Sequence, residues 1–175
     1  MTDLVLRLEH LDRRLLMALA TRRRPRLDRW MREITRLGDP VVMLASGSLL
    51  LFGAGLLPIP PEVAREAALG ILLSNLFGQL VKRRVARARP ILPVGLHSLV
   101  EPPDRFSFPS GHAAAGLALV LPISLWLALP WGLPLLVIGL TIGVSRAYLG
   151  VHYPGDVVAG WGLAGFAAIL LNILG

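Results

Sequence analysis

Long apolar stretches constrain the fold of this chain more than any other feature of its sequence. Each is close to the roughly 20 apolar residues that a helix needs to cross a bilayer. Backbone groups inside a bilayer must also be hydrogen-bonded within a helix or a closed barrel. The stretches cover approximately residues 41–59, 64–81, 113–129, 131–148 and 157–174. The sequence therefore predicts an all-α, polytopic membrane helix bundle of about five transmembrane helices.

The N-terminal region has a different pattern. Between residues 2 and 20, leucines recur every three or four positions among charged residues, which is typical of an amphipathic helix that lies in the membrane interface. The Arg-Arg-Arg-Pro sequence at 22–25 predicts a break before a second short helix. We therefore divide the chain into an amphipathic interfacial region, residues 1–38, and a transmembrane domain, residues 39–175.

Composition and charge argue against a nucleic-acid-binding protein and against a metal site. The formal charge of +7 at pH 7 would suit a nucleic-acid partner, but the charge lies beside apolar segments and no nucleic-acid motif is present. Phosphorylated lipids and lipid head groups explain the charge better. The chain has no cysteine, and its acidic residues do not cluster near the histidines, so we expect no metal site.

Ionisable residues interrupt the apolar sequence between residues 145 and 156. Arg146, His152 and Asp156 lie there, and ionisable groups inside a membrane protein usually mark function. His152 and Asp156 are four residues apart, so on a helix they would share a face and the carboxylate could orient the imidazole ring. An oriented imidazole beside a guanidinium suits attack on a phosphoryl group. The alternative is a structural ion pair at a helix end.

Two further segments carry polar residues at the ends of apolar stretches. Ser110 is a favourable N-cap, Gly111 allows close backbone approach, and the following helix N-terminus would attract an anion near His112. Taken alone, an ordinary capped helix with a surface histidine explains this segment better. Lys82 and Arg89 are seven residues apart, which on a helix places them on one face. The alternative is a basic cluster that contacts anionic lipid heads.

Together the three segments resemble the signature of the type 2 phosphatidic acid phosphatase superfamily. That signature is Lys, six residues, Arg-Pro; then Pro-Ser-Gly-His; then Ser-Arg, five residues, His, three residues, Asp. The chain matches it in the same order at Lys82, Arg89, Pro90, Pro109, Ser110, Gly111, His112, Ser145, Arg146, His152 and Asp156.

The resemblance implies a metal-independent phosphatase that needs no cofactor. It implies that His152 is the nucleophile and forms a phosphohistidine, that Asp156 supports its ring, and that His112 protonates the leaving oxygen and then activates water. It also implies a set of groups that hold the phosphoryl oxygens, namely Lys82, Arg89, Ser110, Gly111 and Arg146.

Other functions remain open at this point. A non-enzymatic membrane scaffold that only binds lipid heads has no use for two histidines at one anion pocket. Vanadium haloperoxidases resemble the same signature, but they are soluble. Among lipid phosphatases, the short chain is similar to small bacterial undecaprenyl pyrophosphate phosphatases. Phosphatidylglycerol phosphate, phosphatidic acid and the phosphate of lipid A are alternative substrates.

Two arguments about membrane orientation disagree. With five spans, nearly every Lys and Arg lies on the same face as the candidate site, and the positive-inside rule would place that face in the cytoplasm. The resemblance implies an active site on the extracytoplasmic side. Because phosphate binding accounts for much of this charge, we expect a protein of the bacterial inner or plasma membrane with an extracytoplasmic active site.

Overall fold

The computed structural model describes the backbone of residues 2–174 and the side chains of residue 3 and residues 6–174. Within this range the chain forms seven α-helices and one 3₁₀ turn at Ala54–Leu56. The helices are α1 (Thr2–Ala20), α2 (Pro25–Arg36), α3 (Pro40–Phe52), α4 (Pro61–Val85), α5 (Gly111–Trp126), α6 (Leu129–Tyr148) and α7 (Pro154–Leu174). The predicted all-α fold and the break after the first helix are confirmed.

Helix α5 lies at the centre of the bundle, packed against α4, α6 and α7. Its inner surface consists mainly of small residues, among them Ala113, Ala114, Ala115 and Ala118, all buried. Small side chains let helix backbones approach closely, which is the usual basis of helix association in membranes. The packing of the core therefore depends more on the close approach of helix backbones than on contacts between large side chains.

One glycine shows how this close approach positions the functional end of the bundle. A Cβ atom on Gly160 of α7 would lie 2.5 Å from the carbonyl oxygen of Ser110, at the start of α5. The amide of Ser110 also donates to the carbonyl of Asp156, at 2.9 Å. These contacts hold the beginnings of α5 and α7 side by side.

Two helices, α6 and α7, are long and apolar enough to cross a bilayer. Helices α2 and α3 pass the same test together, across a bend of 46°, and α5 is apolar but has only 16 residues. Helix α4 has 25 residues but includes polar side chains such as Asn75 and Gln79. The arrangement with five spans therefore stays a prediction.

Candidate active site

Four helix ends meet at one end of the bundle, as expected from the order of the predicted spans. They are the end of α4, the beginning of α5, the end of α6 and the beginning of α7. A cavity of about 430 Å³ lies among them, and five of the predicted site residues line it: Lys82, Arg89, Gly111, His112 and His152. Arg146 lines a smaller cavity that His112 also borders. Segments far apart in the sequence thus converge on one pocket.

Lys82 and Arg89 do not share a helical face, so that interpretation of their spacing is wrong. Helix α4 ends at Val85, and the next residue, Ala86, is left-handed with φ of 48°. Right-handed helical geometry cannot continue through such a residue, so the helix stops before Pro90 can have any effect. Arg89 instead lies in the following extended segment, which turns back toward the other helix ends.

Arg89 lies directly against His152. Its Nη1 donates to the carbonyl of Val151 at 2.7 Å and lies 3.2 Å from Nε2 of His152. A guanidinium can only donate, so Nε2 is the acceptor and the ring proton is on Nδ1. The lone pair of Nε2 therefore faces Nη1 of Arg89 at the pocket, and Nε2 is unprotonated, which nucleophilic attack requires.

His152 and Asp156 are neighbours, but not through a shared helical face, because α7 begins at Pro154. His152 precedes the helix, and Asp156 belongs to its first turn. The Nδ1 atom of His152 lies 3.5 Å from Oδ2 of Asp156. This distance is longer than a formed hydrogen bond, and catalytic hydrogen bonds often shorten only when substrate binds.

Burial lowers the pKa of the His152 ring from 6.5 to about 4. The carboxylate of Asp156 opposes this shift, while the guanidinium groups of Arg89 and Arg146 add to it. Burial has this effect because it disfavours the charged imidazolium. The free protein therefore holds His152 neutral at physiological pH, and a neutral imidazole is the nucleophilic form.

The carboxylate of Asp156 is fully buried and well held. Its Oδ2 accepts from the backbone N–H of Tyr153 at 2.8 Å. Its Oδ1 accepts from Nη1 of Arg87 at 2.7 Å. An ionised carboxylate is tolerated in a buried site when it is paired and hydrogen-bonded in this way, so the orientation of Asp156 is well defined.

The N-terminus of α5 presents His112 to the same pocket. Ser110 is the N-cap of this helix, and its Oγ accepts from the amide of Ala113 at 3.4 Å, as predicted for an N-cap residue. Nε2 of His112 lies 3.0 Å from Oδ1 of Asp39. Because an ionised carboxylate can only accept, Nε2 of His112 carries a proton and donates to Asp39. Each of the two histidines thus has its own carboxylate.

Arg146 is buried without a carboxylate partner among the described residues. Its side chain is 3% exposed, its Nη1 donates to Oγ1 of Thr35 at 2.9 Å, and its Nε donates to no protein atom in the described part of the chain. A buried cation with an unused donor is costly unless an anion binds to it. Arg146 therefore favours an anionic ligand at this position.

Asp104, in the loop between α4 and α5, forms ion pairs with both Lys82 and Arg89. Oδ2 of Asp104 lies 2.8 Å from Nζ of Lys82, and Oδ1 lies 2.8 Å from Nη2 of Arg89. Partial burial alone would raise the pKa of the Asp104 carboxyl, but hydrogen bonds and charge from Lys82 and Arg89 lower it below the ordinary value. The pair thus already binds an oxyanion.

Sequence reasoning missed four residues of this site: Thr35, Asp39, Arg87 and Asp104. Asp39 and Thr35 lie 73 and 111 residues from their partners, so no local pattern could indicate them. Arg87 lies inside the recognised basic segment, and its two carboxylate partners depend on tertiary structure. In the part of the chain that the structure describes, no group of three or more His, Asp or Glu side chains is arranged to hold a metal ion.

Several known proteins are similar to this chain. Residues 64–174 match the PAP2 superfamily. The decaprenylphosphoryl-5-phosphoribose phosphatase of Mycobacterium tuberculosis is 34% identical over 73% of this chain and 70% of that protein. Phosphatidylglycerophosphatase B of Bacillus subtilis is 31% identical over 81% of this chain and 71% of that protein. The crystal structure of Aquifex aeolicus LpxE superposes with a TM-score of 0.80 and 26% identity, covering 93% of this chain and 95% of that one.

Proposed function

The chain belongs to the PAP2 superfamily and is a membrane lipid phosphatase, and on that premise we propose that it works without a metal, through a phosphohistidine at His152. The observation that carries this proposal is the pair of contacts on the His152 ring. Arg89 lies against Nε2 and Asp156 lies behind Nδ1. These contacts favour the tautomer in which Nε2 is unprotonated, so that it can attack phosphorus once the phosphate of the substrate binds to Arg89.

The proposed reaction has two displacements. In the first, Nε2 of His152 attacks phosphorus, the bond from phosphorus to the lipid oxygen breaks, and His112 in its imidazolium form gives that oxygen a proton and becomes neutral. In the second, His112 takes a proton from water, the resulting oxygen attacks phosphorus, and the phosphorus–nitrogen bond breaks. Inorganic phosphate leaves and His152 returns to its neutral state. Dividing one difficult displacement into two easier ones is the benefit of covalent catalysis.

Cationic groups take the role that a metal has in other phosphatases. The charge of a phosphoryl transition state is spread over its equatorial oxygens, so positioning and electrostatic stabilisation account for most of the catalysis. We propose that these oxygens bind to Lys82, Arg89, Ser110, Gly111 and Arg146. In the free protein the single carboxylate of Asp104 pairs with both Lys82 and Arg89, and the phosphate of the substrate would displace it.

The shape of the cavity supports a lipid as the substrate. From the cations and histidines it extends between α3 and α4, where Met43, Leu51, Ala68 and Ile71 line it. An apolar extension of this kind suits a hydrocarbon chain attached to the reacting phosphate. We propose undecaprenyl pyrophosphate as the substrate, with phosphatidylglycerol phosphate, phosphatidic acid and lipid A phosphate as alternatives. The two relatives above are named for one polyprenyl and one glycerolipid substrate.

A phosphate-release assay on the purified full-length protein tests this proposal. The panel comprises undecaprenyl pyrophosphate and the three alternative lipids, each with and without EDTA, and with vanadate as a competing phosphate analogue. We expect the highest kcat/KM on undecaprenyl pyrophosphate, no inhibition by EDTA and competitive inhibition by vanadate. A preference for another lipid would correct the substrate. Complete inactivation by EDTA, reversed by Mg²⁺, would refute the mechanism.

We also propose that residues 39–175 form the phosphatase domain, that residues 1–38 lie in the interface, and that the active site faces the extracytoplasmic side of a bacterial inner membrane. Ser98 is exposed in the loop beside the site, and the chain has no cysteine. We expect Ser98→Cys to react with a membrane-impermeant maleimide in intact cells. Labelling only after the membrane is broken would place the site in the cytoplasm.

A further inference from the structure

Arg87 links helix α1 to the carboxylate behind the proposed nucleophile. Nη2 of Arg87 lies 2.8 Å from Oδ2 of Asp12, on α1, and Nη1 lies 2.7 Å from Oδ1 of Asp156. The two ends of one guanidinium therefore join a residue of the N-terminal region to the carboxylate behind His152. Neither Arg87 nor Asp12 belongs to the family signature described above.

Several contacts hold this guanidinium in place. Its plane lies over the ring of Tyr153, with Cζ 4.1 Å from the ring centroid. Oδ1 of Asp12 accepts from the backbone N–H of Gly155 at 2.6 Å. The carbonyl of Arg87 accepts from the amide of Ser107 at 2.9 Å. Arg87 is thus fixed from both its backbone and its side chain, and Asp12 is bonded to the same turn that carries Asp156.

The charges of this cluster explain why a second carboxylate is useful. Arg87 alone would neutralise Asp156, and a neutralised carboxylate stabilises the positive charge of a phosphorylated imidazole poorly. Because Arg87 also faces Asp12, one positive charge is shared between two negative ones and the cluster keeps an excess negative charge. Although burial alone would lower the pKa of Arg87, the hydrogen bond that it donates to Asp12 and the charge of Asp156 raise that pKa, so the guanidinium stays charged.

We propose that Arg87 and Asp12 are positioning residues of the phosphatase reaction: Arg87 aims the carboxylate of Asp156 at His152, and Asp12 keeps that carboxylate from being neutralised. This inference rests on the function proposed above. It gives the N-terminal helix a part in catalysis, because α1 supplies one of the two carboxylates. Neither residue touches the substrate, so both act on the rate of the chemical steps rather than on binding.

The test compares variants in the full-length protein reconstituted in lipid. Outer partners that orient metal-ligating residues typically contribute about 10- to 100-fold to activity; Arg87 orients Asp156 in a comparable way, and we expect Arg87→Gln to lower kcat by roughly that factor. We expect Asp12→Asn to lower kcat by about three- to tenfold. The loss is smaller because Asp12 acts on Asp156 only through Arg87. The KM should stay within about twofold of wild type for both, since uniform substrate binding is not affected.

Conservative variants and a double variant separate positioning from a structural role. Arg87→Lys keeps the charge but lacks the planar fork that reaches both carboxylates, so its kcat should lie between those of Arg87→Gln and wild type. Asp12→Glu should recover part of the activity that Asp12→Asn loses. Because Asp12 acts through Arg87, the double variant Asp12→Asn with Arg87→Gln should be no slower than Arg87→Gln alone.

Asp3→Asn is the matched control, since Asp3 forms an exposed ion pair with Arg7 on the same helix. It should have wild-type kcat and KM. Wild-type kinetics in Asp12→Asn, or independent multiplicative losses in the double variant, would overturn the inference, and Asp12→Asn provides this test even if Arg87→Gln does not fold. Absence of phosphate release in wild type and Asp3→Asn alike would count against the proposed function instead.

Discussion

The two histidines of the site each have an aspartate, and the two pairs are built differently. Asp156 is fully buried, four residues from His152, and held by the amide of Tyr153 and by Arg87. The side chain of Asp39 is 47% exposed, 73 residues from His112, and its contact with that ring is a single one of 3.0 Å. One carboxylate is immobilised, whereas the other borders solvent.

This difference matches the two roles that we propose. A nucleophile must present one lone pair in one direction, and a buried, fixed carboxylate keeps the ring in the required tautomer. A group that gives a proton in one step and takes one from water in the next must exchange it readily. A partner at the edge of the pocket suits that exchange. The comparison leads to five predictions.

The largest expected effect follows removal of the nucleophile. We expect His152→Ala to lower turnover by at least about 10³-fold, as removal of a catalytic nucleophile commonly does, and to abolish the acid-labile phosphoenzyme detected after rapid quenching. No other side chain offers a nitrogen at the position of Nε2. Near-normal turnover in this variant would show that His152 is not the nucleophile.

A smaller loss should follow removal of the other ring. We expect His112→Ala to lower turnover of a lipid substrate about 10²-fold or more, within the range of general acid–base catalysis. With p-nitrophenyl phosphate, whose leaving group needs no proton, phosphoenzyme should still form and then accumulate. If His112→Ala forms no phosphoenzyme even with this substrate, the division of roles between the two histidines is wrong.

Exchanging each aspartate for asparagine tests the comparison itself. We expect Asp156→Asn to lower kcat about 10²-fold or more, because an asparagine can stabilise the wrong tautomer of the ring. The ion pair between His112 and the half-exposed Asp39 should contribute much less to the rate, so Asp39→Asn should change kcat by no more than about fivefold. Equal losses in the two variants would mean that burial does not distinguish the pairs.

The dependence of the rate on pH gives a fourth measurement. Because burial lowers the pKa of His152 to about 4, its neutral form persists as the pH falls below 6.5 and is lost only near that lower value. The parameter kcat/KM reports the free enzyme. After correction for ionisation of the phosphate, we expect its acidic limb below pH 5.5. A limb at the ordinary histidine value, about 6.5, would contradict the burial of this ring.

The smallest effect concerns Asp104, in the loop between α4 and α5, which contacts Lys82 and Arg89 beside the two pairs. Asp104→Asn removes the carboxylate that competes for Lys82 and Arg89. A partly exposed ion pair is worth at most about 1 kcal/mol, so vanadate should inhibit this variant at concentrations two- to fivefold lower. Glu62→Gln, an exposed change outside the site, is the control. Weaker inhibition by vanadate would mean that Asp104 helps to shape the anion site rather than occupying it.

The sequence predicted the all-α fold class, which is confirmed, and the candidate residues of the phosphate site, because both predictions depend on local patterns. Long apolar stretches predict helices wherever they occur, since a bilayer leaves the backbone few alternatives. The spacing between His152 and Asp156 is short enough for their contact to follow from local geometry. The wrong predictions were also local, because helix α4 ends at a left-handed Ala86 and α7 begins only at Pro154.

Only the tertiary structure decided which carboxylates and cations meet. Asp39 reaches His112, Asp104 reaches Lys82 and Arg89, and Asp12 reaches Arg87 over separations of 15 to 75 residues. Such contacts depend on how closely helices pack, and here small residues such as Gly160 set that distance. The sequence thus predicted the signature residues of the site, whereas packing determined which further carboxylates join them and how the charges are shared, because Coulomb interactions depend on distance and burial and not on order along the chain.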